Sequence, residues 1–240
     1  SDSGVRSFTR TIQEKSMPMR DISKNVRTDL TSLVPLQTNA IKSLYSANEA
    51  FYLLTLPDSD TTYCFDMRSP LQDGSQRATT WSGLTLLALT TTEAGAIYIG
   101  LSSGIVEYKG YLDGTEKYQM RYFSNPMDFG NGSNLKFLKK FNITIIGGQN
   151  TDATLNWGYD YSTGFTKQVF TLTGSVNSGQ YGLSEYNTTA EYTATASINT
   201  PKVNTSGSGE VVTIGIETEI NNTSFSIQKI DIHALLGRLI

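Results

Sequence analysis

Very few side chains in this sequence could carry chemistry. His233 and Cys64 are each the only residue of their type, so neither a Cys/His zinc site nor an internal disulfide can be written. His233 lies in the strand Ile230 to Ala234, beside Leu235, and reads as a strand-end or interface residue rather than a catalytic base. There is no Gly-x-Ser-x-Gly, and Gly182-Leu183-Ser184 lacks the closing glycine, so a nucleophile elbow is absent. Asp58, Asp60, Asp66, Asp73, Asp113, Asp128, Asp152 and Asp160 are scattered rather than clustered. Asp58-Ser59-Asp60 starts like a calcium loop, but no glycine follows at the sixth position and no glutamate at the twelfth, so it reads as a turn. Gly147-Gly148 has neither the Lys-Ser/Thr nor the helix that a phosphate cradle needs. Lys136, Lys139 and Lys140, interleaved with Phe137, Leu138 and Phe141, form a basic spot that reads as a solvated strand face. No catalytic, cofactor-binding or metal-binding residue is nominated, and no cofactor is expected.

Composition narrows the classes further. At 240 residues the chain makes one large domain or two small ones. With 17% charged residues and a net charge of -3, it is neither a basic nucleic-acid reader nor an acidic disordered tail. Abundant Gly, Tyr, Phe and Thr point to β-structure rich in turns. The longest apolar clusters, Leu84 to Leu89 and Ile143 to Ile146, are strand-sized, so no membrane-spanning helix is expected. Because the chain opens at Ser1 without methionine, a processed product or a fragment is expected. Asn-x-Ser/Thr matches at Asn142, Asn187, Asn204, Asn221 and Asn222 are what chance produces in so Asn- and Thr-rich a sequence.

The elements that would position these residues are mostly short strands. Residues 1–45 hold the one helical signal: Asp21 or Ser23 as cap, Ile22, Val26, Leu30 and Leu33 on one face, and Pro35 as terminator. This predicts a surface helix packed on a sheet. From 46 to 112 the pattern predicts strands at Ala50–Leu56, Thr62–Met67, Ala78–Trp81, Thr85–Thr90, Ala96–Leu101 and Ile105–Lys109. Two successive antiparallel sets about 30 residues apart are propeller-blade-like. Two blades close no ring, so either further blades precede Ser1 or the strands belong to an open sandwich. Residues 113–132 read as a connection, and 133–240 as an antiparallel β-sandwich or barrel. There Leu135–Ile146 is a long strand with Phe137, Phe141, Ile143 and Ile145 on one face and Lys136 and Lys140 on the other. Leu155, Trp157 and Tyr159 share a face of the next strand. Residues 201–209 read as a flexible connection or long loop. Val211–Glu219 and Ser224–Ile232 read as a hairpin turning at Ile220-Asn221-Asn222-Thr223. Residues 181–219 carry Glu185, Glu191, Glu210, Glu217 and Glu219 against Lys202 alone, a face that would repel DNA. The fold class expected is mainly β: partial β-propeller strands plus an antiparallel β-sandwich, with one short helix near the N-terminus.

Several stretches together resemble the tail nozzle proteins of short-tailed phages, the tail tubular protein B or packaged-DNA stabilisation family. They are Ser1 to Phe8, Asp21-Ile22-Ser23, Thr62 to Met67 followed by Trp81, Ala96 to Gly100, and Trp157-Gly158-Tyr159-Asp160. The closing stretch from Ile214-Gly215-Ile216-Glu217 to Phe225 through Ile232, ending near Gly237-Arg238, belongs with them. The resemblance covers most of the chain, and its motifs are short. It implies a non-enzymatic virion protein of the tail: a homo-oligomer, a hexameric ring below the portal and its adaptor, with tail fibres or spikes as neighbours. Double-stranded DNA would pass through the lumen without sequence-specific binding. Family members are much longer, and this chain lacks their N-terminal part. A carbohydrate- or receptor-binding β-module is the alternative, with Tyr159, Tyr161, Tyr181, Tyr186 and Tyr192 as stacking platforms. A propeller glycosidase would need two carboxylates roughly 5 to 9.5 Å apart. No pair is nominated, and the Asp73-Gly74 to Trp81 stretch, which faintly resembles the Asp box of sialidases, has the wrong spacing.

Overall fold

The computed structural model describes Val5 and residues 21–148, 150–173 and 198–239. The fold is mainly β, and the chain divides into two compact units, Ser1–Lys109 and Gly110–Ile240. Among the described residues no helix is long and apolar enough to cross a membrane.

In the first unit the helix α1 (Arg27–Leu33) is flanked by single 3-10 turns, the second holding Pro35. Neither predicted cap acts as one. Asp21 accepts from the Ser23 amide at 3.0 Å and its hydroxyl at 2.9 Å and pairs with Arg27, while Ser23 Oγ accepts from the Val5 amide at 2.8 Å. Strands β1 (Lys42–Ser46), β2 (Phe51–Leu56), β3 (Thr61–Asp66) and β4 (Arg77–Ser82) form an antiparallel meander in chain order. A second meander holds β5 (Ala88–Thr91), β6 (Ile97–Leu101) and β7 (Gly104–Glu107). The near-continuous apolar run of β2 follows from burial on both faces. Phe51 and Leu53 join Leu44, Leu86, Ile97 and Ile99, whereas Leu54 and Leu56 join Leu30 of α1 with Tyr63 and Phe65. Two boundaries differ from the sequence reading. β1 lies inside what was expected to be the helical segment, and residues 84–87 precede β5 as coil although Leu86 is fully buried.

The second unit is built from β8 (Tyr118–Phe123), β9 (Asn134–Gly147), β10 (Thr151–Tyr159), β11 (Thr166–Leu172), β12 (Ile198–Asn199), β13 (Lys202–Asn204), β14 (Ser208–Gly209), β15 (Val212–Ile220) and β16 (Phe225–Leu239). One sheet runs β11-β10-β15-β8. The other is centred on β9, with β16 along one side and β12, β13 and β14 in series along the other. Leu138, Phe141, Ile143, Ile145 and Val203 from this sheet share one core with Ala153, Leu155, Trp157, Leu172, Val212, Ile214 and Ile216 from the first, a sandwich.

Four expectations are corrected here. The stretch 113–132 is no mere connection, because it contains β8. Residues 201–209 are stitched to β9, and the carbonyl of Ser206 takes bonds from Trp157 Nε1 at 3.1 Å and the Tyr159 hydroxyl at 2.9 Å. The last two strands are no hairpin: β15 pairs with β10 and β8, β16 pairs with β9, and residues 221–224 cross between the sheets. Finally, Lys136 and Phe137 exchange faces. Leu138 pairs with Ala234 and Lys140 with His233, leaving Lys139 as an extra residue. Such a bulge inverts the alternation on one side of it. Lys136 is therefore fully buried and Phe137 is 37% exposed.

Candidate functional site

Most of the aspartates are engaged by backbone amides, hydroxyls or cations. Asp58 accepts from the Asn39 amide at 2.8 Å, its side chain at 2.5 Å, the Thr38 hydroxyl at 2.9 Å and the Thr38 amide, and these bonds, led by Asn39, bring its pKa down to about 2. Asp60, at φ 46°, accepts from the Gly83 amide at 2.8 Å and the Thr85 hydroxyl at 3.0 Å. Asp73 is held well below the usual carboxylate range by the Ser75 hydroxyl and amide, aided by Lys24. Asp66 grips Arg68, Asp128 the Gly130 amide, Asp152 the Thr171 hydroxyl, and Asp160 the amides of Glu210 and Val211. The exception is Asp113, whose carboxyl burial pushes up. Short polar side chains that bond nearby backbone define turns. Among the described residues no three His, Cys, Asp or Glu side chains gather in a metal-holding group.

The other reactive candidates are equally committed. Burial pushes the Cys64 thiol up to about 11, against a hydrogen bond from Thr79 that lowers it. His233 is exposed on β16 with its Nε2 2.8 Å from Asn142 Nδ2. Lys136, read from sequence as part of an exposed basic spot, is engaged by the carbonyls of Asn131 and Glu210, the latter at 2.6 Å. Lys139 and Lys140 stay on the outer face at the bulge. Trp81 is half-buried and stacks on Tyr108, centroids 5.7 Å apart and planes 10° apart. Tyr159 is spent on Ser206, Tyr161 is 75% exposed, and Tyr181, Tyr186 and Tyr192 lie outside the described residues. The acidic face is also not purely acidic. β8 sets Arg121 opposite Glu217, and Lys117 pairs with Glu219 at 2.7 Å; Glu185 and Glu191 lie outside the described residues. A linear window cannot see cross-strand neighbours.

What the structure leaves open is sheet edge. Among the described residues β8 pairs with β15 alone and β16 with β9 alone. Tyr118, Met120 and Tyr122 stand opposite Ile220, Thr218 and Ile216, so they share the core-facing side, yet the two tyrosines are 40% and 50% exposed. Ile230, Ile232 and Ala234 of β16 pack on the core and are only half-buried. These positions were missed from sequence. The signal was available in the alternation of Tyr118, Met120 and Tyr122 with Gln119 and Arg121. No protein-family model matches the chain, and no curated protein matches it.

Proposed function

We propose that the chain is a structural, non-enzymatic subunit of a phage tail nozzle, a hexameric ring in the virion tail below the portal and its adaptor that conducts and retains packaged DNA. The observation that carries this reading is the contrast between committed carboxylates and uncommitted strand edges. The candidate aspartates, Asp113 excepted, are engaged by neighbouring amides, hydroxyls or cations, while among the described residues two edges of the sandwich keep apolar, core-facing rows partly open to water. Such edges are aggregation-prone unless a neighbour covers them, and a ring of copies covers them in a closed way. The meanders of the first unit are compatible with blades of a larger propeller, in line with the resemblance of Thr62 to Met67 and Ala96 to Gly100. Conduction of duplex DNA asks for weak wall contacts, which suits a chain of net charge -3.

The test is the mass and symmetry of the native assembly, by electron microscopy of particles formed by this chain. A six-fold ring with an axial channel wide enough for duplex DNA is expected. A monomer, or a trimer with a closed axis, overturns the reading. Glycan binding by such a species would move the assignment to the carbohydrate- or receptor-binding module.

A further inference from the structure

The two edges left open among the described residues are complementary to each other. β16 is interrupted at Gln228, where Ile227 pairs with Ile145 and Lys229 with Thr144, and again beyond Leu236. Between these points Lys229 to Leu236 has no extra residue of its own, the shift at His233/Ala234 falling on β9 as Lys139, and it alternates with Ile230, Ile232 and Ala234 facing inward and Lys229, Asp231, His233 and Leu235 outward. β8 offers six residues with Tyr118, Met120 and Tyr122 inward and Gln119, Arg121 and Phe123 outward. Strand addition at an edge satisfies main-chain groups and covers side chains left exposed there.

We infer that β16 of one copy adds antiparallel to β8 of the next, with Ile232 opposite Met120 of the second copy. The inference rests on the ring reading for its head-to-tail closure, but the strand pairing is argued from the edges alone. In this register Ile230 meets Tyr122 and Ala234 meets Tyr118 on the inward side, while Asp231 meets Arg121 and His233 meets Gln119 on the outward side. A slip of one residue turns the apolar row of one strand to the outer face, which the pleat forbids. A slip of two sets Lys229 against Arg121 in one direction and His233 against Arg121 in the other. The present bonded partners of these charges are exchangeable: Asp231 pairs with Lys229 at 2.9 Å, and Arg121 donates to Gln119 at 3.0 Å; Glu217, opposite Arg121 on β15, makes no ion pair with it and would flank it on the side away from Asp231. The remaining edge of the same sheet, β11, turns Thr166, Gln168, Phe170 and Leu172 inward, so two of its four inward positions are polar and it matches the apolar row of β16 less well. Pairing β16 with itself about Ile232 would leave β8 uncovered.

The experiment is disulfide trapping on the full chain in a Cys64→Ser background, with Gln119→Cys and His233→Cys introduced singly and together. Directly opposed residues of antiparallel strands have Cα atoms about 4.5–5.5 Å apart, within disulfide reach. Mixing the two single variants is expected to cross-link each to the other and neither to itself. The double variant is expected to give a ladder of covalent oligomers ending at the closed ring. Self-linking of His233→Cys alone, or no cross-link in an assembly that is nonetheless oligomeric, overturns the pairing. A ladder that stops at two supports the pairing and overturns the ring. As an independent arm, Asp231→Arg is expected to weaken self-association roughly tenfold or more, and Arg121→Asp to restore it in the same chain. Failure of that restoration also overturns the register.

Discussion

Deleting Lys139 is expected to leave the sandwich folded, although it shortens the central strand of one sheet by a residue. In β9 the side chains of Leu138 and Phe141 both point into the core, with Lys139 and Lys140 between them on the outer face. The pairing with β16 passes from Leu138–Ala234 to Lys140–His233, so Lys139 has no opposite number. Its removal converts the bulge into a regular ladder in which Leu138 stays in, Lys140 stays out and Phe141 stays in. The deletion gives up the bond from the Thr205 amide to the Lys139 carbonyl at 3.0 Å, on the order of 0.5–1.5 kcal/mol, and shifts β14 by one residue relative to β13 along β9. Deleting Asn142, three residues on, has no such escape. Either Ile143 and Ile145 leave the core together, at ~1.5–3 kcal/mol each, or Phe141 leaves and the charge of Lys140 enters, which costs at least as much. The expected destabilisation is at least about 3 kcal/mol, a large part of a typical domain's roughly 5–15 kcal/mol. Urea denaturation followed by circular dichroism separates the two deletions. If loss of Lys139 unfolds the chain, or costs as much as loss of Asn142, the bulge does not set the alternation and the account of Lys136 and Phe137 fails with it.

Three further outcomes follow from single sites. Asp58 has a folded-state pKa of about 2, below the ordinary value of about 3.9. Its stabilisation is therefore complete above the unfolded value and lost as pH falls through the folded one; Asp58→Asn is expected to flatten the acid limb of a stability–pH curve between those values, and an unchanged limb refutes the role. With its pKa pushed up to about 11, Cys64 carries on the order of 300-fold less thiolate at neutral pH than a thiol near about 8.5. Disulfide reagents are expected to modify it slowly in buffer and rapidly in urea, and equal rates would contradict its burial. A Cβ on Gly215 would collide with the Phe123 ring, which itself lies 5.2 Å from Phe165. Gly215→Ala is expected to cost about 1–3 kcal/mol, and combining it with Phe123→Ala should recover part of that in a double-mutant cycle; strict additivity would mean that the ring is not what the methyl meets.

The sequence and the structure agree where periodicity is local. The strand from Phe51 to Leu56 carries its two-sided burial in its own apolar run, Leu155, Trp157 and Tyr159 share one face of β10 by their own spacing, and the helical segment carries its contact face in Val26, Leu30 and Leu33. They part where a decision is made by a neighbour far along the chain. Nothing within Lys136 to Phe141 says that an extra residue sits at Lys139, because the bulge exists only relative to His233 and Ala234. Nothing in Asn221-Asn222 distinguishes a hairpin from a crossing between sheets, since asparagine tolerates the positive φ, 52° at Asn222, that either turn uses. The polar stretch Pro201 to Gly209 looks like a loop because its ordering comes from outside, through the side of β9 and the aromatic donors of Trp157 and Tyr159.

Irregularity also explains how a chain can keep long strand edges open and still associate selectively. A flat, uninterrupted edge of fifteen residues, the length of β16, would accept partners in many registers. β16 spans Phe225 to Leu239, but its extra residues at Gln228 and beyond Leu236 leave only eight residues that alternate without a break, and the ladder to β9 shifts within them at His233/Ala234. β8 offers six. Within that short overlap the outward charges admit one even register and the inward rows forbid the odd ones. Removing the kink therefore has a definite consequence: deleting Gln228 restores alternation from Phe225 through Ile232 and lengthens the regular edge toward Phe225. On this account the variant folds but becomes promiscuous, giving a spread of assemblies in native mass measurement where the parent gives one. A Gln228 deletion that associates like the parent would show that the kink does not limit the edge, and specificity would then have to lie elsewhere.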